Sequence, residues 1–263
     1  MQRRTFAIIS HPDAGKTTIT EKLLLFAGAI EVAGAVKGKK NTRKARSDWM
    51  QMEKDRGISV ASSVMQFQFK DCLFNLLDTP GHEDFSEDTY RVLSAVDCAL
   101  MIVDGVKGVE SRTRKLMAIC RQRSIPIITF INKFDRAAQC PMSLVEEIEH
   151  ELHLACAPQT WPLGSGKHFQ GVYDFQSRLC SLYQSGKNYL KQNPEIQSLD
   201  AVLTNLDDRF LREDLQEQIE LYHDQSSVDF KRFLSGELTP IYFGSALNNF
   251  GMLEVLESFV KYA

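Results

Sequence analysis

Short apolar runs alternate with longer amphipathic stretches over most of this chain. Runs too short for a helix, separated by stretches with a period near 3.6, predict strands joined by helical crossovers on a mainly parallel sheet. Six strands are expected, at Thr5 to Ile9, Ser63 to Phe69, Leu73 to Leu77, Ala99 to Val103, Ile127 to Ile131 and Ile241 to Phe243. Most are apolar throughout and so read as buried on both faces. In the second, Met65, Phe67 and Phe69 alternate with Val64, Gln66 and Gln68, which suits a strand nearer an edge. Helices are expected over Lys16 to Ala27, Glu83 to Ala95, Ser111 to Arg123, Met142 to Leu152 and Met252 to Tyr262, on both faces of the sheet.

The alternation breaks between about Pro158 and Pro240. Phe169, Val172, Tyr173, Phe175, Leu179, Leu182 and Tyr183 follow at close intervals, then a charged amphipathic stretch runs from Asp208 to Tyr222. A structureless loop of that length is improbable in a compact chain. Residues 158–240 are therefore expected to form an inserted α+β subdomain, a β ribbon with helices. Residues 1–157 and 241–263 make the main domain.

With 263 residues, 43% of them hydrophobic, the chain can bury a full core. A formal charge of -3 argues against holding nucleic acid through a basic overall surface, and no DNA partner is expected. A local basic patch stays open. No apolar run approaches the roughly 20 residues of a membrane span, and Arg3-Arg4 precedes a short strand rather than a signal-peptide core. The six cysteines never form a CxxC pair, so they read as reduced thiols, mostly core fillers, of a cytoplasmic protein.

Against that background five motifs carry chemistry. Ser10-His11-Pro12-Asp13-Ala14-Gly15-Lys16-Thr17 follows a strand and opens a helix, as in the phosphate loop GxxxxGK[ST], with Ser10 where glycine is usual. Backbone N–H groups and the helix N-terminus would face an anion, Lys16 would add a charge, and the Thr17 hydroxyl can ligate Mg2+. The serine matters only if its position needs a positive φ. By itself the stretch could be an ordinary strand-to-helix turn. Phosphate contacts are assigned to Ser10 through Lys16, to Thr17 and Thr18, and to Gly81.

The second motif, Asp78-Thr79-Pro80-Gly81-His82, sets an acid at the end of a buried strand before a glycine turn. Asp78 can hold Mg2+ through its water shell, and the Gly81 N–H can approach a γ-phosphate. Alone, it would pass for a simple turn. The third, Asn132-Lys133-Phe134-Asp135, also ends a buried strand. Asp135 can accept both hydrogen bonds of the guanine N1–H and N2 amino group, a pairing adenine cannot match. Asn132 would brace the loops, and the Lys133 stem would cover the base. The fourth, Gly244-Ser245-Ala246-Leu247, follows the last strand, where the Ala246 N–H would donate to guanine O6; its assignment depends on the third. In the fifth, Arg56-Gly57-Ile58-Ser59, the Ser59 hydroxyl would complete a Mg2+ shell. The stretch before it holds Lys37, Lys39, Lys40, Arg43, Lys44 and Arg46, either a solvated loop or a contact for RNA phosphates.

These motifs, in this order, resemble the P-loop G domain of the translational GTPases, the group that includes elongation factors Tu and G. The histidine after Gly81 is that group's mark, and the resemblance implies that His82 is catalytic and orients the attacking water; a packing role is the alternative. Ser10-His11-Pro12-Asp13, Ser47-Asp48-Trp49-Met50, Arg56-Gly57-Ile58-Ser59 and Glu83 to Arg91 are similar to the release factor 3 branch. Ser10 and Ser59 are what this branch shows. The resemblance implies GTP as substrate, GDP as product and Mg2+ as cofactor. It also implies the ribosome, its RNA and its proteins, as a partner in translation termination, where the factor promotes dissociation of the stop-codon-reading release factors. In that branch further domains follow the G domain, so a fragment of a longer protein is expected.

Overall fold

The computed structural model describes residues 2–28, 30–32, 35–36, 63–78, 86–183, 194–206 and 208–263. In chain order the main elements are β1 (Gln2–Ser10), α1 (Lys16–Phe26), the short pair β2 (Ile30–Val32) and β3 (Ala35–Val36), β4 (Ser63–Phe69), β5 (Cys72–Asp78), α2 (Ser86–Leu93), β6 (Cys98–Asp104) and α3 (Ser111–Gln122). They continue with β7 (Ile127–Asn132), α4 (Pro141–Leu152), β8 (Ala155–Pro158), β9 (Thr160–Leu163), β10 (Gly171–Asp174), β11 (Leu179–Leu182) and β12 (Glu195–Ser198). The chain ends with α5 (Leu199–Thr204), α6 (Arg209–His223), α7 (Phe230–Leu234), β13 (Leu238–Phe243) and α8 (Met252–Tyr262).

The main sheet is α/β and mostly parallel, but it has seven strands rather than the six expected, in the order β4-β5-β1-β6-β7-β13-β8. The additional strand, β8, pairs with β13 at one edge. It is four residues long and ends in Pro158, so neither length nor alternation marks it; proline is tolerated because an edge strand has ladder positions without a partner. At the other edge β4 runs antiparallel to β5, where its alternating pattern belongs: Val64 is 69% exposed and Phe67 4%.

Successive residues of the central strands serve opposite faces. Ile9, Met101 and Ile131 join a core with residues of α2, α3 and α4, whereas Ile8, Leu100 and Phe130 join a second core with residues of α1 and α8. On the second face Phe6 stacks on Phe259 at 4.0 Å, with Phe74 edge-on to both. Burying such a ring contributes about 1.5–3 kcal/mol, and it fixes α8 across the sheet.

After Pro158 the chain leaves the main sheet, and it rejoins it at Leu238. Between them lies an antiparallel sheet in the order β12-β11-β10-β9, with α5, α6 and α7. Asp208 starts α6 by accepting the N–H groups of Phe210 and Leu211. Tyr222 of α6 stacks on Trp161 at 4.7 Å, and the Trp161 indole donates to Gln218 at 3.0 Å. Trp161 also packs edge-on to Phe243 of β13 at 5.2 Å, so the two sheets share one core.

All six cysteines are free, and only Cys140 is exposed. Burial pushes the Cys180 thiol up to about 11 and that of Cys120 up to about 12, which keeps both protonated. Among the described residues no helix is long and apolar enough to cross a membrane.

Candidate nucleotide-binding site

Parallel strands deliver their following loops to one edge of a sheet, where open α/β folds hold ligands. Here that edge carries the ends of β1 at Ser10, β5 at Asp78, β6 at Asp104, β7 at Asn132 and β13 at Phe243.

The loop after β1 turns through two left-handed residues, Asp13 at φ 64° and Gly15 at φ 105°. Ser10 is not one of them: it is the last residue of β1 and is buried, so glycine's freedom is not needed there. Gly15 does need it. A Cβ there would also lie 2.3 Å from Asn132 Nδ2. Lys16 then opens α1, whose first turn contains no acidic residue, leaving the positive end of the helix dipole facing outward. Lys16 is buried, Thr17 exposed and Thr18 half-buried. His11 Nε2 lies 3.3 Å from Glu110 Oε1, which ties the loop to the start of α3.

Asn132 bridges two loops. Its Nδ2 donates to the Ala14 carbonyl at 2.8 Å, and its Oδ1 accepts the Ala246 N–H at 2.9 Å. Ser245 Oγ donates to Asp135 Oδ1 at 2.5 Å and accepts the Asn248 N–H at 3.3 Å. Asn132, Asp135, Ser245 and Ala246 thus form one bonded group, joined through Ala14 to the loop after β1. Leu247, 64% exposed, stands at its rim. Phe134, fully buried, packs edge-on against Phe243 at 5.4 Å, and both Phe134 and Phe250 tilt against Phe169 of the inserted segment.

Lys133 holds a left-handed backbone at φ 74°, and its Nζ lies 2.6 Å from Asp104 Oδ2. Burial by itself would raise the Asp104 pKa, but the Lys133 ammonium and the N–H groups of Val106 and Lys107 outweigh it and hold the carboxyl below its ordinary value. The motifs passed over Asp104. The signal was present, since Val103-Asp104-Gly105 also sets an acid at the end of a buried strand before a glycine.

Asp78 ends β5 in register with Ile8 of β1. Its side chain, and Ser59, Gly81, His82 and the basic residues from Lys37 to Arg46, lie outside the described residues. For Mg2+, the exposed Thr17 and the strand-end Asp78 are a fitting donor set, because that ion takes one or two carboxylates and few other protein oxygens and fills the rest of its shell from phosphate and water.

The family model of the elongation factor Tu GTP binding domain matches residues 1–263, the whole chain. The chain belongs to that family. This G domain is 54% identical, over 270 aligned positions, to peptide chain release factor 3 of Nitrosomonas europaea; the alignment covers 100% of the chain and 50% of that relative. The G domain therefore spans about half the length of the relative. A crystal structure of a Thermus thermophilus protein shares its fold, with a TM-score of 0.74 and 23% identity over 98% of the G domain and 40% of that chain.

Proposed function

We propose that this chain is the GTP-binding and GTP-hydrolysing domain of a translation termination factor that promotes dissociation of stop-codon-reading release factors from the ribosome. The observation that carries the reading is the Asn132 side chain, which bonds the Ala14 carbonyl on the phosphate side and the Ala246 N–H on the base side. One nucleotide laid along this strand edge reaches both loops. The identity to a release factor 3 supports termination over other steps of translation.

In this reading the amides from Ser10 to Thr18 and the Lys16 ammonium hold the phosphates, with Asp13 beside them and Gly81 at the γ-phosphate. Asp135 accepts from the guanine edge, the Ala246 N–H, which donates to Asn132 Oδ1 in this structure, turns to the guanine carbonyl oxygen when the base binds, and the Lys133 stem and Leu247 enclose the base. Thr17, Ser59 and Asp78 would hold Mg2+, Asp78 through its water shell, and the ion would offset the negative charge of the phosphates. His82 orients the attacking water once the ribosome positions it. The segments up to Pro158 and from Leu238 onward form the nucleotide-binding unit and the segment between them the inserted subdomain, so the boundaries expected after 157 and 240 shift to the end of β8 and the start of β13. With no arginine finger assigned in this chain, hydrolysis without the ribosome is slow, on the order of 10⁻³ per second or less. The cytoplasm is where these partners meet.

Competition titration tests the nucleotide: GDP and GTP displace a fluorescent GDP analogue and ATP does not. ATP competing equally would point to a different enzyme class. A release-factor recycling assay with the full-length protein and ribosomes tests the role. Stimulated GTP hydrolysis without recycling would move the protein to another branch of the translational GTPases.

A further inference from the structure

Asp104 stands out among the side chains of the strand edge because its two oxygens serve different partners. Oδ1 accepts the backbone N–H groups of Val106 at 2.9 Å and Lys107 at 3.4 Å, which shapes the turn after β6. Oδ2 accepts from Lys133 Nζ at 2.6 Å. The carboxylate is 2% exposed and the lysine side chain 16%, so water screens the pair little.

The same turn is pressed against the strand end by its backbone. Gly105 N–H donates to the Asn132 carbonyl at 2.8 Å, and a Cβ on Gly105 would stand 2.8 Å from that oxygen. Lys133 itself sits at φ 74°, a region that residues with a Cβ avoid unless their surroundings hold them there. A free lysine side chain would sample many rotamers and would have to be ordered whenever a base docked against it.

We propose that Asp104 is a positioning residue for the guanine nucleotide: its Oδ2 anchors the Lys133 ammonium so that the lysine stem is already in place beside Asp135 when the base arrives. This rests on the guanine-nucleotide reading above. Asp104 touches no part of the nucleotide and acts only through Lys133. The turn contacts at Oδ1 are a separate task, which an asparagine can perform.

The test is a double-mutant cycle read by dissociation of a fluorescent GDP analogue and by the rise in melting temperature on adding GDP. Asp104→Asn keeps an oxygen for Val106 and Lys107 and removes the carboxylate from Lys133. Lys133→Met keeps an unbranched stem and removes the ammonium. Each is expected to bind GDP about tenfold more weakly, at the low end of what one charge-assisted hydrogen bond supports. The double variant is expected to lose little more than either alone, because both remove one contact. The loss is also expected to be equal for GDP and IDP, since the stem covers the base and reads no exocyclic group. Losses that multiply in the double variant, or Asp104→Asn binding GDP as tightly as the wild type, would overturn the role of Asp104 while leaving the nucleotide site standing. Should Asp104→Asn fail to fold, Lys133→Met decides alone: unchanged GDP affinity in it overturns the proposal. A wild-type protein that bound no guanine nucleotide would overturn the underlying reading as well.

Discussion

Ser245 and Asp135, 110 positions apart in the chain, are joined by a hydrogen bond of 2.5 Å. The serine hydroxyl donates to Oδ1, which orients the carboxylate and leaves further acceptor capacity for a base. Asp135→Asn replaces one acceptor by a donor, so the variant is expected to prefer xanthine over guanine nucleotides. Ser245→Ala keeps the acceptors but frees the carboxylate, and GDP binding should weaken about tenfold with guanine preference retained. Competition titration with GDP and XDP reads both, and unchanged GDP preference in Asp135→Asn would contradict the base assignment.

Gly15 is held by two constraints, a φ of 105° and the Asn132 amide 2.3 Å from where a Cβ would stand. Gly15→Ala must push Asn132 off the Ala14 carbonyl or distort the loop. We expect GDP binding to fall at least a hundredfold while the chain still folds, checked by calorimetry beside circular dichroism. Asn132 is buried at 3% exposure, so its displacement leaves polar groups without partners, each costing about 1–3 kcal/mol.

His82→Ala is expected to leave GDP affinity within about twofold and to abolish ribosome-stimulated hydrolysis in the full-length protein, a rate loss of roughly a thousandfold or more. A variant that hydrolyses GTP normally on ribosomes would remove His82 from the catalytic role.

Burial raises the Glu254 pKa, and the nearby Asp174 and Glu257 carboxylates add to the rise, against the opposing hydrogen bond from Tyr183 at 3.2 Å. A carboxyl whose folded-state pKa lies above its unfolded one favours the fold when protonated. That contribution is complete below the ordinary value of 4.5 and is lost as pH rises through the folded-state value. Glu254→Gln stays neutral throughout. The melting temperature of the variant minus that of the wild type should therefore grow as pH is raised above the ordinary carboxylate range and then level off. A flat difference would show that Glu254 is solvated.

Cys140 is exposed and the other five thiols are buried. Brief iodoacetamide treatment of the native protein should add one label, at Cys140, read by mass spectrometry, and Cys140→Ser should take none. Labelling at Cys120 or Cys180, where burial also holds the thiol protonated, would indicate opening of the core.

The apolar spacing alone determined the α/β class, the strands near the chain start and in the centre, and the edge placement of β4, because a period near two or 3.6 is a local property of neighbouring residues. The loops after β1, β7 and β13 were also legible as motifs, since each follows directly from a buried strand, while the motif after β5 lies outside the described residues beyond Asp78. The tertiary structure decided which loops touch. That Asn132 braces the loops was expected, but the atoms it meets on Ala14 and Ala246, the pairing of Lys133 with Asp104, and the packing of Phe134 and Phe250 against Phe169 depend on strand order and register, which no local pattern encodes. The same holds for β8, a strand only because β13 offers it a partner, and for Ser10, whose ordinary backbone follows from where the left-handed turn falls two residues beyond His11, at Asp13.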